Sequence, residues 1–486
     1  MAALPPAQRR RRAQREAYRH TTAVCVALTC ALLLLVAGSS LLGGRSAGTA
    51  PAVLPPPPPA PALAPAACLA LAQSWVAQER RVDARRGAAP RLNLTFFLHV
   101  PRTAGRTVFF CGLKPAFAPS ERCLRSYDQL RVQDMSQPGC ALLSSHDDYR
   151  LVDALPGNAT VVTQLRRPQD RVLSAYEFAV EVAARTVFGR KRPAGAKVAG
   201  KTATIDVWPW SALVPLLRDD MEARRRGRGW RAPSRFGVGP LSGYSSPFVM
   251  SLSDFVRHPL VADVVHNGAT FQLLGLTANG RSFSSGPADD GGQAAAAVQA
   301  AQLRACVSAP GPAAEVLLGY AQARLEGHIA AVTLTDRLND SVALLAATLG
   351  RPLSGQGYRT IGDRQEHEER QRLERHPDTK AAMDAAAARA GGSLAHMYRK
   401  CVVKQSNRTA TRRNQALGLM QYADGFPFDF HRQDVGLPHL EAAVQAIRAT
   451  NHLDVALYAL GERLFDKRRE VRARRSSVGR ALIQLG

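Results

Sequence analysis

Apolar residues fall along this chain in two rhythms, one of strands and one of helices, and the two alternate. Leu94 to Val100 reads Leu-Thr-Phe-Phe-Leu-His-Val, an aromatic and β-branched run that predicts a buried strand beginning near Arg91. After a loop, Val108 to Leu113 continues apolar as a helix would. Thr160 to Leu165 predicts a second strand broken by Pro168, after which Val172, Leu173, Tyr176, Val180 and Ala183 recur at helical spacing between Gln169 and Ala184. Further on, Pro312 to Gly327 predicts a helix with proline in its first turn, Ala330 to Leu334 a third strand, and Asp336 to Leu349 another helix. Alternation of this kind implies an α/β layered domain with a parallel sheet, whose ligand belongs at the carboxyl ends of the strands. Asp363 to Asp378 is dense in charge and predicts an exposed helix.

The first ninety residues follow another pattern. Thr21 to Gly44 carries no charge, long enough to cross a hydrocarbon core of roughly 30 Å. Arg9, Arg10, Arg11, Arg12, Arg15 and Arg19 precede it, so the positive-inside bias keeps residues 1–20 in the cytosol and sends the body into the lumen. An uncleaved signal anchor over 21–44 is preferred to a cleaved signal peptide, because the apolar run exceeds the usual h-region. Pro51 to Pro65 predicts an extended spacer, so 45–90 is expected to be a Pro/Ala-rich stem, 91–465 the catalytic domain and 466–486 a basic tail. The size, 486 residues, allows a sizeable core and rules out a wholly disordered chain.

Charge narrows the partners. Sixty-four Lys and Arg against 39 Asp and Glu give +25, so anions are the natural ligands. No zinc-finger spacing, aromatic-interleaved RNA motif or basic zipper accompanies that charge, and nucleic acid is not expected. Cys25 and Cys30 lie in the apolar run, leaving Cys68, Cys111, Cys123, Cys140, Cys306 and Cys401, enough for three disulfides in an oxidising compartment, with connectivity open. No metal-ligand spacing is present, so no metal is expected. Asn93, Asn158, Asn339 and Asn407 each begin a glycosylation acceptor triplet, in keeping with a secretory address.

Two stretches resemble phosphate loops. Gly195-Ala-Lys-Val-Ala-Gly-Lys201-Thr202 matches the Walker A pattern, but no apolar strand precedes it and Pro209 resists a helix after it, so it reads as a basic loop. Pro101-Arg102-Thr103-Ala104-Gly105-Arg106-Thr107 sits between a strand and a helix. Small residues at Ala104 and Gly105 allow backbone N–H groups close to a phosphate, Thr103 and Thr107 add hydroxyl donors, and Arg102 and Arg106 add fixed charge. An ordinary turn with two exposed arginines is the competing reading.

Pro101 to Thr107 looks like the 5′-phosphosulfate loop of Golgi membrane sulfotransferases, with Ala104 where the family usually carries glycine. Leu165-Arg166-Arg167-Pro168-Gln-Asp-Arg171-Val-Leu-Ser174-Ala-Tyr176 is similar to their 3′-phosphate motif, with Arg166 and Ser174 on the matching positions. More closely, Ser145-His146-Asp147-Asp148-Tyr149, Tyr176 to Arg185, Ile205 to Trp210 and His266 to Phe271 resemble the plant-type tyrosylprotein sulfotransferases, themselves related to heparan sulfate 6-O-sulfotransferases. The likeness runs from about Phe96 to Gly350.

That resemblance implies a P-loop-like sulfotransferase fold with flanking helices. It also implies 3′-phosphoadenosine 5′-phosphosulfate (PAPS) as sulfuryl donor, no metal, and an acidic tyrosine-containing protein or peptide as acceptor in the Golgi lumen. Arg102 would neutralise charge on the departing phosphate, and Arg166 and Ser174 would hold the 3′-phosphate. His146, in the stretch matching the base of the 6-O-sulfotransferases, would take the acceptor proton, with Asp147 or Asp148 orienting its ring; the alternative is a surface histidine in a turn. Polysaccharide O-sulfation and a non-catalytic anion-binding module remain alternatives. His99 reads as a core histidine. Trp208 and Trp210 floor an acceptor groove or simply pack, and Lys201, Arg224, Arg225, Arg226 and Arg228 read acidic flanks or form a solvated face. His266 and Asn267 resemble family residues near the acceptor side, without a role assigned.

Overall fold

A computed structural model describes residues 63–123, 140–189, 204–227, 242–279, 290–351, 353, 394–423, 425 and 428–484. The expected cytosolic tail, anchor and first part of the stem lie outside the described residues, as do the whole Walker A-like stretch with Lys201, Arg228 and the charge-dense 363–378. No helix among the described residues is long and apolar enough to cross a membrane.

Four parallel strands form the sheet in the order β2-β1-β3-β4: β1 (Arg91–Leu98), β2 (Leu142–Ser145), β3 (Asn158–Leu165) and β4 (Ile329–Leu334). Register places Leu98 opposite Ser145 and Thr163, and Leu165 opposite Leu334, so the strands end nearly level. The period of two decides which residue faces which layer. Phe96, Leu98, Leu143, Val161, Leu165, Val332 and Leu334 point into one buried cluster, while Phe97, Leu142, Val162 and Ala331 point into another. With both faces covered, the strands are buried over most of their length, polar residues such as Thr163 and Gln164 included, as parallel sheets require.

Helix α1 (Pro65–Gly87) corrects the expected domain boundary. Composition reads 45–90 as stem, yet Cys68, Ala72, Trp75, Val76 and Glu79 recur at helical spacing and are buried, and Cys68 is disulfide-bonded to Cys306. Trp75 meets Tyr320 edge-on at 5.8 Å. Proline in the first turn starts this helix. The folded body around the sheet therefore includes Pro65–Gly87. At the other end the boundary at 465 also dissolves, because one helix runs from His452 to Gln484 and Asp466 on it pairs with Arg337.

Along the chain, α2 (Gly105–Val108) runs into a π turn over Phe109–Leu113, and α3 (Pro168–Val187) follows β3. Helix α4 (Trp210–Arg226) starts directly after Pro209: the proline thought to resist a helix is its N-cap, behind a cis Trp208–Pro209 bond. Then come α5 (Gly268–Leu274), α6 (Pro312–Gly327), α7 (Leu338–Thr348), α8 (Leu394–Leu417), α9 (Pro438–Thr450) and α10 (His452–Gln484). Helices α3, α4 and α9 share a third buried cluster, around Tyr176, Leu213, Phe255 and Ile447. The remaining disulfides are Cys111–Cys401 and Cys123–Cys140.

Candidate active site

Every strand delivers chemistry at its carboxyl end: His99 to Thr107 after β1, His146 after β2, Arg166 after β3 and Thr335 after β4. The first loop is tightly wound. Arg102 and Ala104 both adopt the left-handed conformation, with φ of 68° and 60°, a strained state for residues bearing a Cβ. Thr103 is fully buried, and its hydroxyl donates to the Val100 carbonyl at 2.8 Å, bracing the turn from inside. Gly105 has a separate reason to be glycine. A Cβ there would stand 2.0 Å from two atoms of the His99 imidazole, so ring and helix start can coexist only without a side chain. Arg106 Nε reaches Gln405 on α8 at 3.4 Å, and Thr107 is half-buried in the same turn.

The two expected donor motifs lie side by side. Arg102 Nε donates to Ser174 Oγ on α3 at 3.0 Å, and its guanidinium stacks over Phe178, which packs edge-on against Trp210. Trp210 is thus a buried packing residue supporting the arginine's platform. Arg166 Nη1 donates to the Arg102 carbonyl at 3.1 Å. Thr335 Oγ1 completes the junction, 2.8 Å from the Thr103 carbonyl and 3.1 Å from the Leu165 carbonyl, one hydroxyl shared between both loops. Burial, and then the neighbouring Arg432 guanidinium, push the Arg166 pKa down, although Asp170, Glu177 and Asp336 oppose the shift. A guanidinium stays charged regardless, so an anion placed here would be strongly favoured. Beside this loop a cavity of about 530 Å³ opens among Arg167, Asp170, Arg448 and His452.

His146 occupies the adjacent corner. Its ring stacks on that of His99 with centroids 4.2 Å apart, and its Nδ1 lies 3.2 Å from the His99 carbonyl. A carbonyl only accepts, so Nδ1 is the donor of this contact, and Nε2 is the nitrogen that bears the lone pair of the uncharged tautomer. Burial, aided by His146 and Arg102, holds the His99 pKa well below the usual imidazole value, so its ring is neutral; it is the core histidine expected. The aspartates proposed as ring orienters are engaged elsewhere. Asp147 accepts from Ser145 Oγ and from Asn279 at 3.0 Å, and Asp148 accepts from the Thr277 hydroxyl at 2.6 Å and the Arg150 N–H. The His99 carbonyl faces Nδ1 of the ring.

Several residues important to this corner carry no sequence signal. Helix α8, which carries none of the motifs quoted between Phe96 and Gly350, is tied to the turn after β1 by Cys111–Cys401 and by the contact of Gln405 with Arg106. Arg413 and Arg432 converge on Glu177 from separate segments. Thr335 is the exception: a hydroxyl directly after an expected strand is where the carboxyl-end rule points. Other candidates stand apart. Arg224 and Arg226 pair with Asp220 and Glu222 on their own helix, and Arg225 donates to the Val187 carbonyl. His266 is pushed down to about 4 by burial, and Asn267 is a buried connector to the start of α10. Among the described residues no cluster of three or more His, Cys, Asp or Glu could hold a metal ion.

A protein-tyrosine sulfotransferase of Arabidopsis thaliana is 30% identical to this chain over 451 residues, covering 86% of this chain and 84% of that protein. No protein-family model matches the chain, and no solved structure matches it significantly.

Proposed function

The chain belongs to the protein-tyrosine sulfotransferase family, and we propose that the strand ends bearing Arg102, His146 and Arg166 are where it moves a sulfuryl group from PAPS to a tyrosine hydroxyl. The observation that supports this placement is the contact between the two basic turns: Arg102 bonds Ser174 and Arg166 bonds the Arg102 carbonyl, as one nucleotide bisphosphate spanning both motifs would need. On this reading Arg166 and Ser174 hold the 3′-phosphate, while Arg102, Arg106, Thr107 and the backbone from Thr103 to Gly105 face the 5′-phosphosulfate. Arg102 would exchange Ser174 for the incoming anion, a stronger partner for a guanidinium.

The step balances with these groups alone. The phenolic oxygen attacks sulfur, the bond from sulfur to the bridging oxygen breaks, and the nucleotide leaves with that oxygen and its charge. The phenolic proton goes to Nε2 of His146. A tyrosine phenol loses its proton only near pH 10, so a positioned base is needed at lumenal pH. Arg102 neutralises the charge that builds on the departing phosphate, as charge and hydrogen-bond donor but not as an acid. The acceptor on this reading is an acidic protein or peptide of the secretory pathway, drawn by the strong positive charge. Three disulfides support an oxidising compartment, and we place the enzyme in the Golgi membrane, type II, anchored through 21–44.

Labelled PAPS offered with an acidic tyrosine peptide and, separately, with desulfated heparan tests the reading. Label on the peptide is the expected result; label on the glycan alone overturns the acceptor, and label on neither overturns the reaction. His146→Ala should lower transfer at least about a hundredfold while adenosine 3′,5′-bisphosphate binds within about threefold of wild type. Undiminished transfer would remove His146 from the mechanism.

A further inference from the structure

Gln272 lies on α5, far in sequence from both donor motifs, and is completely buried. Its Nε2 stands 3.1 Å from the His99 carbonyl, 3.0 Å from the His146 carbonyl and 3.1 Å from the Asp147 carbonyl. Three acceptors fix the amide's orientation, because the reversed amide would face oxygen with oxygen. Its Oε1, by contrast, is buried without a hydrogen-bond partner in the structure. A buried orphan acceptor costs roughly 1–3 kcal/mol. A residue kept at that cost for packing alone would be better replaced by methionine, so the weight falls on the Nε2 contacts.

Those contacts cross the seam between β1 and β2. The His99 carbonyl receives both Gln272 Nε2 and the Nδ1 of His146, and the same amide also grips the His146 backbone. One donor group thereby fixes where His146 sits and the carbonyl that sets its tautomer. Helix α5 is itself held rigidly. Asp454 accepts from the backbone N–H of Ala269 and of Thr270, from the Thr270 hydroxyl at 2.8 Å, and from Arg171 at 3.0 Å. Across the same junction the Asn267 N–H donates to Asn451 Oδ1, and Asn267 Oδ1 accepts from the Leu453 N–H, each at 3.0 Å. The start of α10 thus has a mechanical link to the strand ends through α5.

We propose that Gln272 is a positioning residue for sulfuryl transfer, bridging the ends of β1 and β2 so that His146 presents Nε2 to the acceptor. The inference rests on the reading of His146 as the base. Gln272→Met keeps length and removes the donors. In the full chain it should lower kcat about tenfold or more, while the affinity for adenosine 3′,5′-bisphosphate, measured by calorimetry, stays within about threefold. In a His146→Ala background the same substitution should change the residual rate by less than about twofold, because the group it positions is gone.

Equal losses in both backgrounds, or a loss of nucleotide affinity matching the loss of kcat, assign Gln272 a structural role only and overturn the proposal. Wild-type kcat in Gln272→Met with an inactive His146→Ala overturns it while sparing the base. Full activity in His146→Ala overturns base and positioner together. Should Gln272→Met not fold, Gln272→Leu, which also removes the donor without burying a charge, is carried through the same cycle with the same outcomes.

Discussion

Arg102, Arg166 and Ser174 hold one another, through a side chain–side chain bond and a side chain–carbonyl bond between two loops, and the chain pays for this with two residues in the left-handed conformation. His146 is held by other groups. It leans on the His99 ring and carbonyl, and its backbone is gripped by Gln272, whose helix is docked on Asp454. The proposed donor side is built mainly from two strand–loop–helix units, which meet because β1 and β3 are neighbours, with Thr335 and Gln405 as its distant supports. The base side is assembled from long range. The difference teaches that donor binding and proton transfer should fail separately.

Arg166→Ala puts the largest load on that separation. It removes a half-buried guanidinium from beside the expected 3′-phosphate, and adenosine 3′,5′-bisphosphate should bind about a hundredfold more weakly, on the order of 3 kcal/mol. Adenosine 5′-phosphosulfate, which has no 3′-phosphate, should lose less than about fivefold. Equal losses for both ligands would mean that Arg166 acts by holding the Arg102 carbonyl, and the donor loops would then be one mechanical unit rather than two recognition sites.

How much of this could be read beforehand follows the same divide. Strands β1, β3 and β4 and helices α3, α6 and α7 are legible because each buries a regular stripe, and Arg102, Arg166 and Ser174 are legible because their motifs are contiguous. Strand β2 is not: four residues, Leu142–Ser145, give no period, and only its neighbours make it a strand. Helix α1 hides within Ala/Pro-rich composition although its buried residues keep helical spacing. Gln272 and Gln405 are single amides in unremarkable helices, and their meaning lies wholly in what other segments bring to them.

Asp148 tests the base side from beneath. It is buried beside Asp147, and burial above all pushes its pKa up to about 6. A carboxyl raised in the folded state stabilises the fold fully below its unfolded value near 3.8, and that contribution is lost as the pH rises to about 6. Asp148→Asn is neutral throughout and escapes the loss. Thermal unfolding between pH 4 and 7 should therefore show the variant gaining on wild type by on the order of 2 kcal/mol, levelling above about pH 6. A constant difference across that range would place the Asp148 carboxylate in a better-solvated setting than its burial implies.

Ala104→Gly is the smallest change and addresses the donor side alone. At φ 60° an alanine Cβ crowds the backbone, at a cost of roughly 1–2 kcal/mol that glycine does not bear. Glycine also loosens the unfolded chain, which returns about 0.4–1 kcal/mol, so the net gain in stability should be about 1 kcal/mol or less. Its larger consequence is local. Relief of strain at residue 104 lets the turn relax without disturbing Gly105 against the His99 ring, and the affinity for the nucleotide bisphosphate should change by no more than about threefold while kcat holds. A kcat change of tenfold or more would show that strain in the donor loop is transmitted through the His99 ring to His146, and the two sides of the site would have to be treated as coupled.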